Sequence, residues 1–398
     1  MSKLVSVHPR EMSVRAKEIA LEPFKLALDL PKDVISLSVG EPGFETPEFV
    51  REAAKKAIDE LYTHYTPVTG YLDLRKAIAD KLSRDNSLTY DPEKEIVVTP
   101  GSAIGVHQAM LTLLDPGDQI LITDPAWFHY DVLANLCGAE PVRSPVKFEG
   151  DVPSLDLEAT ERLVTKRTKA IVLNNPMNPM GTSFSRDVLK EVGEFAEKHN
   201  LWIISDEVYE KIVYPPNKHI SPATLPGLKE RTLTSNGMSK GYVLPGFRIG
   251  YLAGPPDILE RVGALMGYML VCASSMSQRA ALVALTDPRM EPFIKETIVQ
   301  YTKRRKIVLD TLTGVRGISL HPPQGTFYAW IDIKGTGMPS MKFTKKLAEE
   351  QKVGVMPGPL FGKQGEGHVR ISFATPEDKL KIGLERFRDF VIDHTANM

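Results

Sequence analysis

The sequence predicts an α/β protein: a mostly parallel sheet covered by helices on both faces, followed by a smaller α+β unit. Three observations predict it. Through the middle of the chain, short apolar runs alternate with amphipathic segments of about a dozen residues. The runs are nearly continuously apolar, as expected of strands buried on both faces. The C-terminal third then changes character, with a long charged helix followed by strand-like pieces.

The elements follow in order. Residues 96–99 (IVVT) form a buried strand, Gly101 a turn, and residues 102–114 an apolar-periodic helix. Residues 115–118 (DPGD) make a turn, and 119–123 (QILIT) the next strand. Residues 170–173 (AIVL) are a strand ending in Asn174, Asn175 and Pro176. Residues 186–200 form an amphipathic helix with Leu189, Val192, Phe195 and Ala196 on one face, and 201–205 (LWIIS) is the strand after it. A charged helix spans about 292–313, and 326–333 (TFYAWIDI) and 368–373 (HVRISF) are strands of the smaller unit. The N-terminal stretch has no βαβ rhythm and is expected to pack with that unit. The expected division is an N-terminal segment 1–45, a large unit 46–290 and a small unit 291–398.

Composition narrows the function. In 398 residues, a hydrophobic share of 42% supplies a large core, and a charged share of 25% is ordinary for a soluble enzyme. The net charge of −1, with both signs mixed along the chain, gives no basic excess for nucleic acid or an acidic membrane surface. The two cysteines, Cys137 and Cys272, form no CxxC pair and are expected as reduced thiols. The nine histidines include no HExxH or HxH spacing, so no metal site is expected. The opening MSKLVSVHPREMS lacks the apolar run of a signal peptide, and no stretch approaches the ~20 apolar residues of a membrane span. The expected location is the cytoplasm.

In open α/β sheets, ligands bind outside the carboxyl ends of the strands, and several polar residues here fall at such ends. Gly101, Ser102 and Ala103 lie between a strand and a helix, where free amides attract an anion; an ordinary glycine turn with a serine cap reads the same way. Asp206 follows the apolar strand LWIIS, with Tyr209 three residues on. A carboxylate there is either a structural cap or ion pair, or is aimed at a protonated heterocyclic nitrogen. Lys240 stands in the Gly-rich, nearly uncharged stretch SNGMSKGYVLPGFRIGY (235–251), with Arg248 eight residues later. Burial there would depress the lysine pKa and make it nucleophilic, as imine chemistry needs.

The chain resembles the class I/II, fold-type I pyridoxal-phosphate aminotransferases, from about residue 37 to 373. Eight motifs occur in the family's order: LSVGEPGFETP (37–47), HYTPVTGYLDLR (64–75), TPGSA (99–103), DPAWFHY (124–130), NNPMNPMG (174–181), SDEVYE (205–210), SKGYVLPGFRIGY (239–251) and VRISFA (369–374). The resemblance implies a large domain with a seven-stranded, mostly parallel sheet, a smaller α+β domain, and pyridoxal 5′-phosphate as cofactor. It implies that Lys240 carries the cofactor as a Schiff base, the aldimine, and shuttles the proton in the 1,3-transfer of transamination. Asp206 would pair with the ring nitrogen, keeping the electron sink charged, and Asn178 and Tyr209 would bond the phenolic oxygen. Trp127 would stack on the ring; a core aromatic is the plainer alternative. Arg248 and the amides of Gly101, Ser102 and Ala103 would hold the phosphate, joined by Tyr65 from the neighbouring subunit of a homodimer. Arg370 would grip the substrate α-carboxylate, with Gly40 closing over it and Trp127 and Asn178 beside it. Cis peptides are implied at Asp124-Pro125 and Asn178-Pro179.

The pattern departs at four positions. Gly237 stands where many relatives have a phosphate-binding serine, with Ser235 and Ser239 as candidate replacements. Ala103 replaces a polar residue, and Met180 and Pro245 stand where threonine is frequent. Aspartate-specific relatives supply a second cation for the distal carboxylate, but residues 267–278 and 101–105 contain no Lys or Arg. The expectation is therefore transamination of a neutral or aromatic L-amino acid, alanine included, with 2-oxoglutarate or pyruvate as acceptor. The alternatives are a β-lyase using the same lysine and an aspartate aminotransferase. A non-catalytic cofactor sensor would need a DNA-binding domain, for which the ~36 residues ahead of LSVGEP leave too little chain.

Overall fold

The computed structural model describes residues 12–17 and 19–395. Its main sheet runs, in spatial order, Ile96–Thr99, Gly250–Ala253, Thr232–Gly237, Trp202–Asp206, Thr168–Asn174, Gln119–Asp124, Glu140–Glu149 and Val152–Leu155. The five strands from Thr232–Gly237 to Glu140–Glu149 are mutually parallel. Gly250–Ala253 is antiparallel to both neighbours. Seven strands thus make the expected sheet. The eighth, Val152–Leu155, pairs antiparallel with only the overhanging end of Glu140–Glu149, from Val146 to Glu149, as a hairpin.

The strands Gln119–Asp124, Thr232–Gly237 and Gly250–Ala253 are buried along their whole length, because helices cover both faces. Arg186–Lys198 shows how the sequence builds one. Ser185 caps it by accepting from the Val188 amide at 3.3 Å, and Val188, Leu189, Val192, Phe195 and Ala196 form its buried stripe. The helix stops two residues short of the predicted end, and Asn200 takes a left-handed φ of 51°.

The smaller sheet is antiparallel, in the order Ser319–Leu320, Tyr328–Asp332, His368–Ser372 and Met356–Pro357. Helices Ser340–Gln351 and Glu377–Thr395 close its core through Phe343, Leu347, Leu384 and Phe387. The 23-residue helix Met290–Leu312 joins the two units: Ile294 packs into the core beneath the large sheet, and Tyr301, Val308 and Leu312 into the small one. The N-terminal segment touches both units. Ile35–Ser36 pairs in parallel with Val353–Gly354, and Leu37 enters the small core, whereas Leu26 packs on a core of the large unit. Residues 1–11 and 18 of that segment lie outside the described residues. The cis peptides at Asp124-Pro125 and Asn178-Pro179 are present, with two more at Asn175-Pro176 and Pro215-Pro216. Among the described residues no helix is long and apolar enough to cross a membrane.

Candidate active site

The carboxyl ends of the parallel strands meet the small sheet around a cavity of about 350 Å³. The strand Trp202–Asp206 delivers Asp206 and, past the turn, Val208 and Tyr209. Thr168–Asn174 delivers Asn174 and then Asn178, and Thr232–Gly237 leads into Ser239 and Lys240. The small unit contributes Tyr328, Met356 and Arg370, and the segment before it Ser38, Val39, Gly40 and Glu41.

Lys240 Nζ donates to the Gly40 carbonyl at 2.5 Å and lies 5.9 Å from the centroids of Tyr209 and Phe327. Burial pushes its pKa down to about 8; the Glu41 carboxylate opposes that shift, and Arg370 and Arg248 reinforce it. About a tenth of this amine is therefore neutral at pH 7 and about half at pH 8. Asp206 is fully buried, and burial pushes it up to about 6. The Tyr130 hydroxyl, donating at 2.7 Å, and the Val208 amide at 3.3 Å hold the carboxylate down against a larger rise. Tyr209 is buried and stays a phenol well above its ordinary range, its Oη 3.0 Å from that of Tyr328.

Arg370 is buried rather than exposed on its strand. Nη1 donates to Asn178 Oδ1 at 2.9 Å and Nη2 to the Ser38 carbonyl at 2.6 Å. Its guanidinium stands 4.2 Å over the Tyr328 ring, and Nε is buried without a partner. A buried guanidinium with an unspent donor is a site for an anion. Asn178 is fixed from behind, its amide donating to Asn174 Oδ1 at 2.7 Å.

A second anion cradle lies across the cavity, where the helix Ser102–Leu113 begins. Its first amides have no partner inside the helix and point outward with the positive end of its dipole. Arg248 bends over this helix start: Nη1 donates to the Pro245 carbonyl at 2.8 Å and reaches Ser239 Oγ at 3.4 Å. Gly101 is required here. Its φ is 87°, and a Cβ would stand 2.4 Å from Arg248 Nη2. Of the two candidate hydroxyls, Ser239 lines the cavity, whereas Ser235 turns away to donate to the Ser102 carbonyl at 3.1 Å. Ala103 and Pro245 also line the cavity, while Met180 is buried in the core of the large unit.

Lys240, Asp206, Tyr209, Asn178, Trp127, Arg248, Ser102, Ala103, Gly40 and Arg370 thus border one space. Gly101 stands behind Arg248. Tyr65 does not join them within this chain: it is 82% exposed and lies outside the cavity lining. Trp127 is half-buried, stacked on His129 at 3.9 Å and edge-on to Tyr130 at 5.4 Å.

Several cavity residues were missed from sequence. Tyr130 lay inside DPAWFHY and Tyr328 inside TFYAWIDI, each indistinguishable there from a core aromatic. Phe24, on the short helix Glu22–Leu28, closes one side, edge-on to Phe128 at 6.1 Å and to His129 at 5.6 Å. Burial pushes His129 down to about 4, so it is uncharged near neutrality.

The family model for aminotransferases of class I and II matches residues 32–387. An aspartate aminotransferase of Pyrococcus abyssi is 41% identical over 355 residues, covering 89% of this chain and 91% of that one. Aromatic-amino-acid aminotransferase 2 of Thermococcus litoralis is 38% identical over 353 residues, covering 89% and 90%. Among solved structures, the aromatic aminotransferase of Pyrococcus horikoshii superposes with a TM-score of 0.88 at 38% identity, over 95% of this chain and all of that one.

Proposed function

The chain belongs to the class I and II aminotransferases and is a pyridoxal-phosphate-dependent aminotransferase; on that premise we propose that Lys240 is the amine that binds the cofactor aldehyde and that the donors are neutral, apolar or aromatic L-amino acids. Alanine is included, and a 2-oxo acid such as 2-oxoglutarate or pyruvate is the acceptor. The observation that carries the reading is one cavity holding an amine brought down to about 8, a fully buried carboxylate, and two separate cradles for anions.

The residues fit the cofactor. Arg248, the Ser239 hydroxyl and the amides of Gly101, Ser102 and Ala103 suit a phosphate ester, and a side chain at Gly101 would fill that cradle. When bound, the cofactor supplies an electrophilic carbonyl and a charged ring that takes up the electron pair left as Cα–H breaks. Asp206 holds a negative charge in a dry setting, where it favours a protonated ring nitrogen. Tyr209 and Asn178 would donate to the phenolic oxygen, and Trp127 would cover the ring. Arg370 turns its unpaired Nε and its fork to the substrate α-carboxylate, with the Gly40 backbone above. Lys240 would take the proton from the donor Cα at Nζ and give it back within the same turnover, ending as it began; such positioned acid–base catalysis contributes about 10²–10⁴ in rate.

Substrate choice follows from what remains. The Lys and Arg side chains on the cavity wall are Lys240, Arg248 and Arg370. One binds cofactor, one phosphate and one the α-carboxylate, so among the described residues the cavity wall leaves no Lys or Arg for a distal carboxylate. Pro23, Phe24, Phe128 and Met356 offer apolar surface instead. The test is kcat/KM for phenylalanine, alanine, aspartate and glutamate with a common acceptor. A lead of about tenfold or more for phenylalanine or alanine is expected, since a buried carboxylate without a partner is penalised. A clear lead for aspartate refutes the preference.

The same reading makes the enzyme a cytoplasmic homodimer, divided into residues 1–45, 46–290 and 291–398, with Tyr65 reaching the neighbouring site. Exposed Ile58, Leu61, Tyr65, Val68, Tyr268 and Met269 support a subunit contact, lying on adjoining segments where Val68 packs beside Gly267.

A further inference from the structure

Asp206, Val208 and Tyr209 line the cavity, but the two glutamates between and after them turn the other way. Glu207 is completely buried. Its Oε1 accepts from Ser205 Oγ at 2.8 Å and Ser221 Oγ at 2.6 Å, and its Oε2 lies 2.9 Å from His219 Nε2. Its backbone amide donates to the Ser235 carbonyl at 2.8 Å. Glu210 Oε2 accepts from Asn86 Nδ2 at 2.8 Å, and Oε1 pairs with the Lys81 ammonium, which also donates to Asn86 Oδ1 at 2.7 Å. The side chains of Lys81 and Glu210 are 1% and 4% exposed. Ligand atoms of Glu207, Glu210 and His219 lie within 4.8 Å of one another, a spacing that would suit a metal ion. The cluster already holds a cation, however, because Lys81 is seated on Glu210.

Such a network is an expensive way to hold a protein together. Desolvation offsets most of the attraction in a buried ion pair, and apolar side chains of similar volume stabilise as well or better. What the charges supply is direction, since one arrangement satisfies nearly all the donors and acceptors, with His219 Nδ1 left without a partner. Here that arrangement ties the helix Leu72–Asn86 and the loop around His219 and Ser221 to the back of the segment that carries Asp206 and Tyr209.

We infer that Glu207 and Glu210 are positioning residues, with Lys81, Asn86, Ser205, His219 and Ser221 as their anchors, fixing from behind the angle at which Asp206 and Tyr209 meet the cofactor. The inference rests on the assignment of those two residues to the cofactor. It separates two properties that ordinary core packing would keep together: the network can be replaced without loss of stability but not without loss of rate.

The test is the apolar variant Lys81→Met/Glu210→Met, made together with Asn86→Leu so that no buried amide is left unpaired, and loaded with pyridoxal phosphate. Its thermal midpoint is expected at or above that of the parent. Its kcat is expected to fall about 10- to 100-fold, the cost of a displacement near 1 Å at a reacting group, with a shifted pH titration of cofactor absorbance. A folded apolar variant with parental kcat and parental absorbance titration overturns the inference. Ser205→Ala and Ser221→Ala each remove a single donor to Glu207 and should move both readouts the same way by smaller factors. Parental values in both overturn the inference even if the apolar variant does not fold. Asp206→Asn and Tyr209→Phe are the controls: unchanged absorbance and kcat in these would overturn the cofactor assignment itself, a result the network variants cannot mimic.

Discussion

Replacing Tyr130 with phenylalanine removes one oxygen and almost no volume, so it isolates the 2.7 Å bond to Asp206. A hydrogen bond to a charged group contributes about 1.5–3 kcal/mol, and one between neutral groups about 0.5–1.5 kcal/mol. The larger loss applies where Asp206 is ionised, above about pH 6, and the smaller where it is protonated. The difference, about 1–1.5 kcal/mol, moves the carboxyl up by about one pKa unit. Because burial already holds Asp206 at about 6 against an ordinary 3.8, its contribution to stability is complete below pH 3.8 and is lost as pH rises through about 6. In Tyr130→Phe that loss continues to about pH 7. The assay is the urea midpoint of cofactor-free protein near pH 5 and pH 8, for the parent, Tyr130→Phe, Asp206→Asn and the double variant. Tyr130→Phe should destabilise more at the higher pH by about 1 kcal/mol, and the excess should vanish in the Asp206→Asn background. Equal destabilisation at both pH values, or an excess that survives in Asp206→Asn, refutes the reasoning.

Two further outcomes follow from the same geometry. Lys240→Ala and Tyr65→Ala should each be inactive or nearly so alone, yet mixed and reassembled subunits should regain about a quarter of parental activity, since half the dimers then hold one complete site; no recovery would remove Tyr65 from the neighbouring site. Uptake of pyridoxal phosphate by cofactor-free protein should accelerate with pH through about 8, the value of the Lys240 amine. Glu41→Gln should shift that step lower, because Glu41 is the charge that most favours the ammonium; a step near the ordinary lysine value of 10.5 in the parent would contradict the buried amine.

Much of the site could be read from sequence because strand ends are where an α/β sheet presents side chains. LWIIS announces its own strand, so Asp206 was placed by what precedes it. Lys240 was placed by a nearly uncharged, Gly-rich stretch in which a lysine is out of keeping, and Arg248 by the family motif that contains both. Arg370 lies 130 residues further on and Gly40 200 residues earlier, and only the order of the motifs linked them to Lys240. Local signals failed where packing decides. Residues 140–155 were not anticipated as strands: Pro141 and Pro145 break their propensity, and residues 140–145 pair with Gln119–Asp124 while the hairpin partner covers only 146–149, so a missing amide donor on the uncovered side is tolerated. Phe24 sits in a segment without periodicity and gains its place only by touching Phe128 and His129. The Lys81–Glu210 pair is 129 residues apart in sequence and looks like two surface charges on amphipathic segments; burial at the third dimension alone sets it apart.

The central claim is that the Lys240 amine is the covalent anchor of the cofactor. Holoenzyme reduced with borohydride and digested should carry the pyridoxyl mass on the peptide containing Lys240, and only there, and the reduced protein should be inactive. A stable adduct on a different lysine, or none in protein that has taken up pyridoxal phosphate and turns over, would contradict the account.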